Sequence, residues 1–305
     1  GLYQVGAVTV YELNALSLLY LILGDDGNDY FGTALDGVGD TDLDGFPDIL
    51  VGADYADPGG YSREGAAYLY SGPTGTLLHR WEGGVADRAF GMSVSEAGDL
   101  DGDGRNDVWV GAGGEDSGSH CCTGAIFAYS GATYAELDSV YGDPLDTWFG
   151  SEVVGGVDCD ADGVPDVAAS ATNVGSGTVH LYSGGTMLPL ARYEGGSAGA
   201  GGGGAFGSAL DFISDQNGNS RPEILSGFEG DTVGGYVGGG SVTQLSWDPC
   251  LSMSASAVSV AAGGHVDYFI AFPSSEAGQR YALLASAAGT GPQVYDEVVI
   301  PLSLD

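Results

Sequence analysis

An all-β chain built of repeated four-stranded units, a β-propeller, is predicted by three observations. The dipeptide Phe-Gly recurs at Phe31-Gly32, Phe90-Gly91, Phe149-Gly150 and Phe206-Gly207, at spacings of 59, 59 and 57 residues. Nine residues after each Phe an Asp opens a carboxylate-rich loop, at Asp40, Asp99, Asp158 and Asp215. Each loop leads into two short apolar runs, first ILVGAD, VWVGAG, VAASAT and ILSGFE, then GAAYLYSG, GAIFAYSG, GTVHLYSG and GSVTQLSW. These are bounded by Gly, Asp and Pro, as strands and turns are, and no window sustains a capped helical period. Repeats of roughly 40–60 residues holding about four strands each read as propeller blades.

The N-terminal stretch follows the same pattern. Gly6-Ala7-Val8-Thr9-Val10-Tyr11 aligns with the second apolar run, and Gly6 lies 25 residues before Phe31, as Gly65 does before Phe90 and Gly124 before Phe149. Residues 1–30 are therefore the back half of a blade, and the apolar run Ala15–Leu23 is its outer strand, the counterpart of Thr76–Gly83. The expected organisation is a propeller over 1–250, with a partial blade at 1–30 and repeats at 31–89, 90–148, 149–205 and 206–250. That gives four complete blades plus one partial or composite blade. The repeat is lost from Leu251, and 251–305 is expected to be a small β-strand module or a blade-completing segment, with strands at Ser254–Val260, Val266–Phe272, Tyr281–Ser286 and Val298–Leu302. The chain opens on Gly1, as processing or truncation would leave it. The incomplete end blades leave open closure within the chain, completion by a neighbouring copy, or a fragment of a larger protein.

Composition narrows the function. The chain of 305 residues carries 42 acidic against 7 basic side chains, all Arg, for a formal net charge of −35. Such a polyanion repels nucleic acid and anionic membranes, which excludes both as partners. Glycine is abundant at 56 residues, yet 31 aromatic residues supply a core that a disordered acidic chain lacks. The longest apolar run, Ala15–Leu23, is about half the ~20 residues that a membrane-spanning helix requires, and it has neither the basic flank nor the cleavage site of a signal peptide. Cys121, Cys122, Cys159 and Cys250 fit an oxidising compartment and disulfide use, with buried free thiols as the alternative.

The loops carry the chemistry. Asp at positions 1, 3, 5 and 9 gathers hard oxygen ligands: Asp40, Asp42, Asp44 and Asp48; Asp99, Asp101, Asp103 and Asp107; Asp158, Asp160, Asp162 and Asp166. Carboxylates so close repel one another unless a cation neutralises them, and Ca²⁺, which takes about 6–8 oxygens, suits a flexible acidic loop better than Mg²⁺. Gly45, Gly104 and Gly163 at position 6 permit the sharp turn, and position 7 offers a backbone carbonyl at Phe46, Arg105, Val164 and Arg221. The fourth loop departs from this pattern. Asp215, Asn217, Asn219 and Glu223 carry −2 rather than −4, and Ser220 replaces glycine, so three strong calcium sites and a fourth weaker one are expected. An EF-hand is excluded because position 12 is Val51, Val110, Ala169 or Ser226 instead of Glu.

The Phe-Gly start, the nine-residue Asp loop and the following Val-Gly-Ala resemble FG-GAP repeats, which build the β-propeller of integrin α-subunits. The resemblance covers about residues 6–250. It implies that the loop positions above are those of integrin-like β-hairpin calcium loops and that loop faces recognise protein. No integrin partner residue carries over, and there is no RGD-type motif.

No catalytic site is expected. Gly199–Gly204 matches GxGxxG but lacks the helix that a dinucleotide site needs; His79, His120, His180 and His265 show no metal-pair spacing; and no nucleophile–base pair occurs. The expected function is that of a non-catalytic calcium-binding extracellular module for adhesion or surface structure. The alternatives are a self-assembling filament or tube subunit and the accessory propeller of a secreted hydrolase or glycan-binding protein. Expected partners are a protein or glycan ligand or copies of itself as a homo-polymer, without membrane insertion. Calcium loops of this kind fill at extracellular calcium levels, so the expected location is extracellular or cell-surface, and the strands after Leu251 resemble small β-modules of secreted bacterial proteins, which implies a bacterial source.

Overall fold

The structure is a computed structural model that describes residues 6–12, 17–116, 122–143, 147–172, 177–195, 205–229 and 240–247, together with the backbone of 284–285 and 293–294. The chain divides into two compact units, Gly1–Trp247 and Asp248–Asp305. Among the described residues there is no helix.

The first unit is a succession of antiparallel meanders. A two-stranded sheet, β1 (Ala7–Glu12) and β2 (Ser17–Leu23), comes first. Three four-stranded sheets follow: β3 (Ala34–Val38), β4 (Asp48–Ala53), β5 (Ala66–Tyr70) and β6 (Leu77–Glu82); β7 (Phe90–Gly98), β8 (Asp107–Ala112), β9 (Ala125–Tyr129) and β10 (Glu136–Tyr141); and β11 (Phe149–Val157), β12 (Asp166–Ala171), β13 (Thr178–Tyr182) and β14 (Pro189–Glu194). The last sheet of the unit holds β15 (Ala205–Ile213), β16 (Glu223–Glu229) and β17 (Ser241–Leu245). These sheets follow the sequence repeats, and the fold is the all-β propeller architecture expected. In the second unit β18 (Leu284–Ala285) pairs with β19 (Gln293–Val294). The Ser254–Val260, Val266–Phe272 and Val298–Leu302 strands and the Gly199–Gly204 run lie outside the described residues.

Burial explains why the middle strands lack alternation. β4, β5, β8, β9 and β12 are covered on both faces by neighbouring blades, so ILVGA, AAYLY, VWVGA, AIFAY and VAASA are nearly continuous apolar runs. The outer strands β6 and β14 alternate or are largely exposed, and β2 takes the same outermost place beside β1.

The Phe-Gly dipeptide fastens each blade twice. Its phenyl ring packs on the third strand of its own sheet: Phe31 meets Tyr68 edge-on at 5.4 Å between centroids, and Phe90 meets Phe127 at 5.9 Å. Phe149 meets His180 at 5.4 Å, whereas in the last sheet Phe206 meets Phe228, on the second strand, at 5.9 Å. His180 is thus a buried packing residue rather than a ligand. The glycine faces the preceding blade: a Cβ on Gly91, whose φ is +80°, would sit 2.1 Å from Ala66 O, while one on Gly52 would sit 2.0 Å from Gly91 O. Only two backbones without side chains approach so closely.

Aromatic side chains complete the blade-to-blade seam. The Tyr20 hydroxyl donates to Gly72 O, Trp81 Nε1 to Tyr134 O at 3.0 Å, Tyr193 to Ser246 O at 3.0 Å, and Trp247 Nε1 to Leu190 O at 3.0 Å. Inner strands are joined as well, since Glu96 N–H donates to Asp36 at 2.7 Å and Gly155 N–H to Ser95 Oγ at 3.1 Å.

The seam predicts a sharp contrast between two glycines of similar φ. Gly91→Ala combines a left-handed backbone with backbone overlap and should destabilise by about 3–5 kcal/mol. Gly84→Ala, at φ +79° in open space, should cost only about 1 kcal/mol, both read by urea denaturation in calcium.

Candidate metal centres

The Asp loops join the first and second strands of each sheet, and position 9 is the first residue of the second strand: Asp48, Asp107, Asp166 and Glu223. Each loop is wound by its own side chains. The position 1 carboxylate accepts the N–H of position 6, from Gly45 at 2.8 Å, Gly104 at 2.9 Å, Gly163 at 3.0 Å and Ser220 at 2.8 Å. Position 3 accepts from position 5 in all four loops, and position 5 accepts from position 7. This cascade of Asx turns holds the carboxylates together before any ion is considered.

The winding demands two left-handed residues per loop. Position 6 takes one, at Gly45 (+93°), Gly104 (+89°), Gly163 (+94°) and Ser220 (+64°). Position 4 takes the other, and there Leu43 (+64°) and Ala161 (+65°) adopt it without glycine's freedom. Sequence reading identified the first position and missed the second, because Leu and Ala do not announce a positive φ.

Position 9 is buried, with Asp48, Asp107, Asp166 and Glu223 each no more than 1% exposed. One oxygen accepts the N–H of position 2, from Thr41 at 3.0 Å, Leu100 at 2.8 Å, Cys159 at 2.7 Å and Gln216 at 2.7 Å. The other accepts from the glycine that follows the third strand: Gly72 at 3.1 Å, Gly131 at 2.9 Å and Gly184 at 2.9 Å. A Cβ on those glycines would lie 1.8–2.0 Å from the carbonyl of position 8, so nothing larger fits. The fourth repeat has Trp247 at this place, and Glu223 Oε1 is buried with no hydrogen-bond partner. The signal was present in the sequence, where Ser-Gly ends three of the second apolar runs and Ser-Trp the fourth.

Three of the four expected carboxylates converge in each complete loop. Oxygens of Asp40, Asp42 and Asp48 lie within 4.8 Å of one another, as do those of Asp99, Asp101 and Asp107 and of Asp158, Asp160 and Asp166. That separation is about twice a Ca²⁺–oxygen bond, the widest two ligands of one ion can stand apart. Asp44, Asp103 and Asp162 at position 5 are not in these clusters; each turns one oxygen to the N–H of position 7. The side chains of position 7 act in a way the sequence did not suggest. Arg105 donates to Thr41 O at 2.6 Å and Arg221 to Cys159 O, so two arginines lace one loop to the loop of the preceding blade.

The electrostatics favour a hard cation. Burial raises Asp107 and Asp166 to about 6, and backbone N–H bonds, from Gly131 and Leu100 or from Gly184 and Cys159, pull the other way. Asp42 is raised by desolvation and by repulsion from Asp48, Asp44 and Asp40. Asp215, in the less charged loop, is lowered, because N–H bonds from Gly218, Ser220 and Asn217 outweigh its desolvation. Oxygen-only donors, mutual repulsion and spacing all fit a divalent ion held by positions 1, 3 and 9. Cys159, at position 2 of the third loop, is a buried free thiol instead of half a disulfide, and burial raises its pKa. Cys121 and Cys250 lie outside the described residues.

A family model, FG-GAP repeat, matches residues 31–70. The chain is 34% identical over 145 residues to integrin alpha pat-2 of Caenorhabditis briggsae, covering 44% of this chain and 12% of that protein. It is 32% identical over 195 residues to integrin alpha-5 of Xenopus laevis, covering 57% and 18%, and 38% identical over 95 residues to integrin alpha-V of Gallus gallus, covering 28% and 9%. It thus spans less than a fifth of the length of these curated relatives. A rhamnogalacturonan lyase structure overlays with a TM-score of 0.39 at 15% identity, over 63% of this chain and 40% of that one, too loose a likeness to speak to function. The resemblance to FG-GAP repeats and integrin α-subunits read from the motifs stands.

The fourth loop yields a direct test. Ser220→Gly removes a side chain from a left-handed position and should stabilise the protein by up to about 1 kcal/mol, read as a higher melting temperature.

Proposed function

We propose that the chain is a non-catalytic, calcium-binding module of adhesion type that works outside the cell or at its surface and recognises a protein partner. Its propeller is built from residues 1–250, with 251–305 as a separate small β segment. The observation that carries this reading is the threefold recurrence of three carboxylate oxygens within 4.8 Å of one another. Likeness to integrin α chains supports the adhesion role, and a charge of −35 with no Lys supports a setting rich in divalent cations. Positions 1, 3 and 9 hold each Ca²⁺, position 5 and the carbonyl of position 7 complete the shell, and the loop of Asp215, Asn217, Asn219 and Glu223 binds most weakly. Bound calcium cancels the repulsion of the loop carboxylates and fixes the start of the second strand.

Metal analysis with thermal melts in calcium and in excess EGTA tests this. The expected result is three to four ions per chain, and at a hundredfold excess over Kd each site adds about 2.7 kcal/mol that EGTA removes. Asp42→Asn, Asp101→Asn and Asp160→Asn should each lose one ion. Unchanged melts with no bound calcium would overturn the metal reading.

A second reading, a self-assembling subunit, is favoured by the β1–β2 sheet. Leu18, Leu19, Leu21 and Leu23 are each about half exposed, and among the described residues β1 pairs only with β2. Concentration-dependent polymers in sedimentation that Leu21→Glu abolishes would support it, and a monomer at all concentrations would eliminate it.

A further inference from the structure

A cavity of about 460 Å³ opens between the turn after β2 and the loop joining β4 to β5. Adjacent strands run antiparallel, so these connections lie at the opposite strand ends from the β3–β4 metal loop. The wall presents Asp25, Asp26, Asp29, Asp57, Arg80 and Tyr68. Arg80 is already taken up by Asp25, at 3.6 Å, and by Glu82. Asp26, Asp29 and Asp57 have no ion-pair partner among the described residues. Burial raises the pKa of Asp29, a backbone N–H bond from Asp26 opposes the rise, and repulsion from Asp26, Asp57 and Asp25 adds to it.

Tyr68 is the independent observation. The residue is only 3% exposed, yet it lines the cavity, and besides burial its phenol feels the charges of Asp25, Arg80 and Asp29. The ring is fixed edge-on to Phe31 and stacked on Tyr70, at 5.4 and 6.2 Å. No hydrogen bond reaches its hydroxyl among the described residues. The hydroxyl is not sealed away from solvent but opens on the cavity, where a ligand can bond to it.

We propose that this cavity binds an alkylammonium group, supplied either by a free polyamine or by a lysine side chain of a partner protein. A metal ion does not suit it: these carboxylates do not form one of the clusters in which oxygens gather within 4.8 Å. A neutral polyol would leave three carboxylates uncompensated. An ammonium group brings three donors and no acceptor, which matches carboxylates and a phenol oxygen, and Ala56, Pro58 and the Tyr68 ring provide an apolar wall for its alkyl stem.

The test is titration calorimetry on the calcium-loaded chain at about 150 mM salt, where screening suppresses diffuse binding to a polyanion. Calcium loading separates this proposal from the metal reading, since the Asp loops are then filled. Spermidine and Nα-acetyl-lysine amide are the two probes. Saturable binding of spermidine alone assigns a free polyamine, and binding of the lysine derivative, or its competition with spermidine, assigns a partner side chain. Tyr68→Phe, which keeps the ring, and Asp57→Asn, at an exposed carboxylate, should each weaken binding roughly tenfold, as expected for lost charged or buried hydrogen bonds. Asp138→Asn, at an exposed carboxylate on β10, should change nothing. Equal losses in Asp138→Asn and Asp57→Asn, or no saturable binding of either probe, would overturn the proposal.

Discussion

The position 9 carboxylate is the constraint on which each blade depends. It enters a site where both oxygens are already spoken for, one by the loop that precedes it and one by the turn that ends the third strand. Thus one buried side chain fixes the Asp loop, the start of the second strand and the next hairpin relative to one another. Burying a negative charge there works against the fold, as the raised Asp107 and Asp166 values indicate. The remaining loop carboxylates add repulsion, so these features make mechanical sense together when a cation compensates them. The fourth repeat shows the dependence in reverse. Trp247 in place of the close-approach glycine leaves Glu223 Oε1 unpartnered, and in that loop the charge also falls to −2.

Phe-Gly solves a different problem, how a thin sheet can have a core on both faces. The phenyl ring fills its own blade while the glycine lets the preceding blade come within backbone contact. Residues that look interchangeable in composition are therefore fixed by position. Glycine is abundant here because blade seams, hairpin turns and metal loops each need a backbone without a Cβ, rather than because the chain is loose.

Much of this was legible in the sequence, because repetition multiplies weak signals. One Asp loop resembles a solvated turn, but loops at fixed distance from Phe-Gly identified the architecture and fourteen carboxylates, nine of which the folded chain gathers into clusters. What escaped were features that depend on contact between repeats. Arg105 and Arg221 were read only as backbone carbonyl donors, whereas their guanidinium groups span to Thr41 and Cys159, more than sixty residues away. Tyr20, Trp81 and Tyr193 read as ordinary outer-strand aromatics, and their bonds to the next hairpin become visible only once blades stand side by side. That position 5 stands outside the clusters was hidden for another reason: a carboxylate in an Asx turn and a carboxylate on a metal have the same sequence.

The distribution of arginine completes the argument. Of the described arginines, Arg80, Arg88 and Arg192 pair with carboxylates, Arg63 lies over the Tyr55 ring at 4.4 Å, and Arg105 and Arg221 lace the loops. All but Arg63 are committed to a local polar bond, so the excess negative charge is left for the surroundings to balance. Even four Ca²⁺ would bring −35 only to −27. Self-repulsion at that charge opposes compactness, and monovalent salt relieves it by screening, whereas calcium bound in the Asp loops would relieve it at chosen points. The two can be told apart, because screening acts on exposed carboxylates throughout the surface and reaches a buried position 9 side chain least. If the Asp loops bind calcium as proposed, a chain of this composition is stabilised in two layers, a diffuse one set by ionic strength and a local one set by those loops.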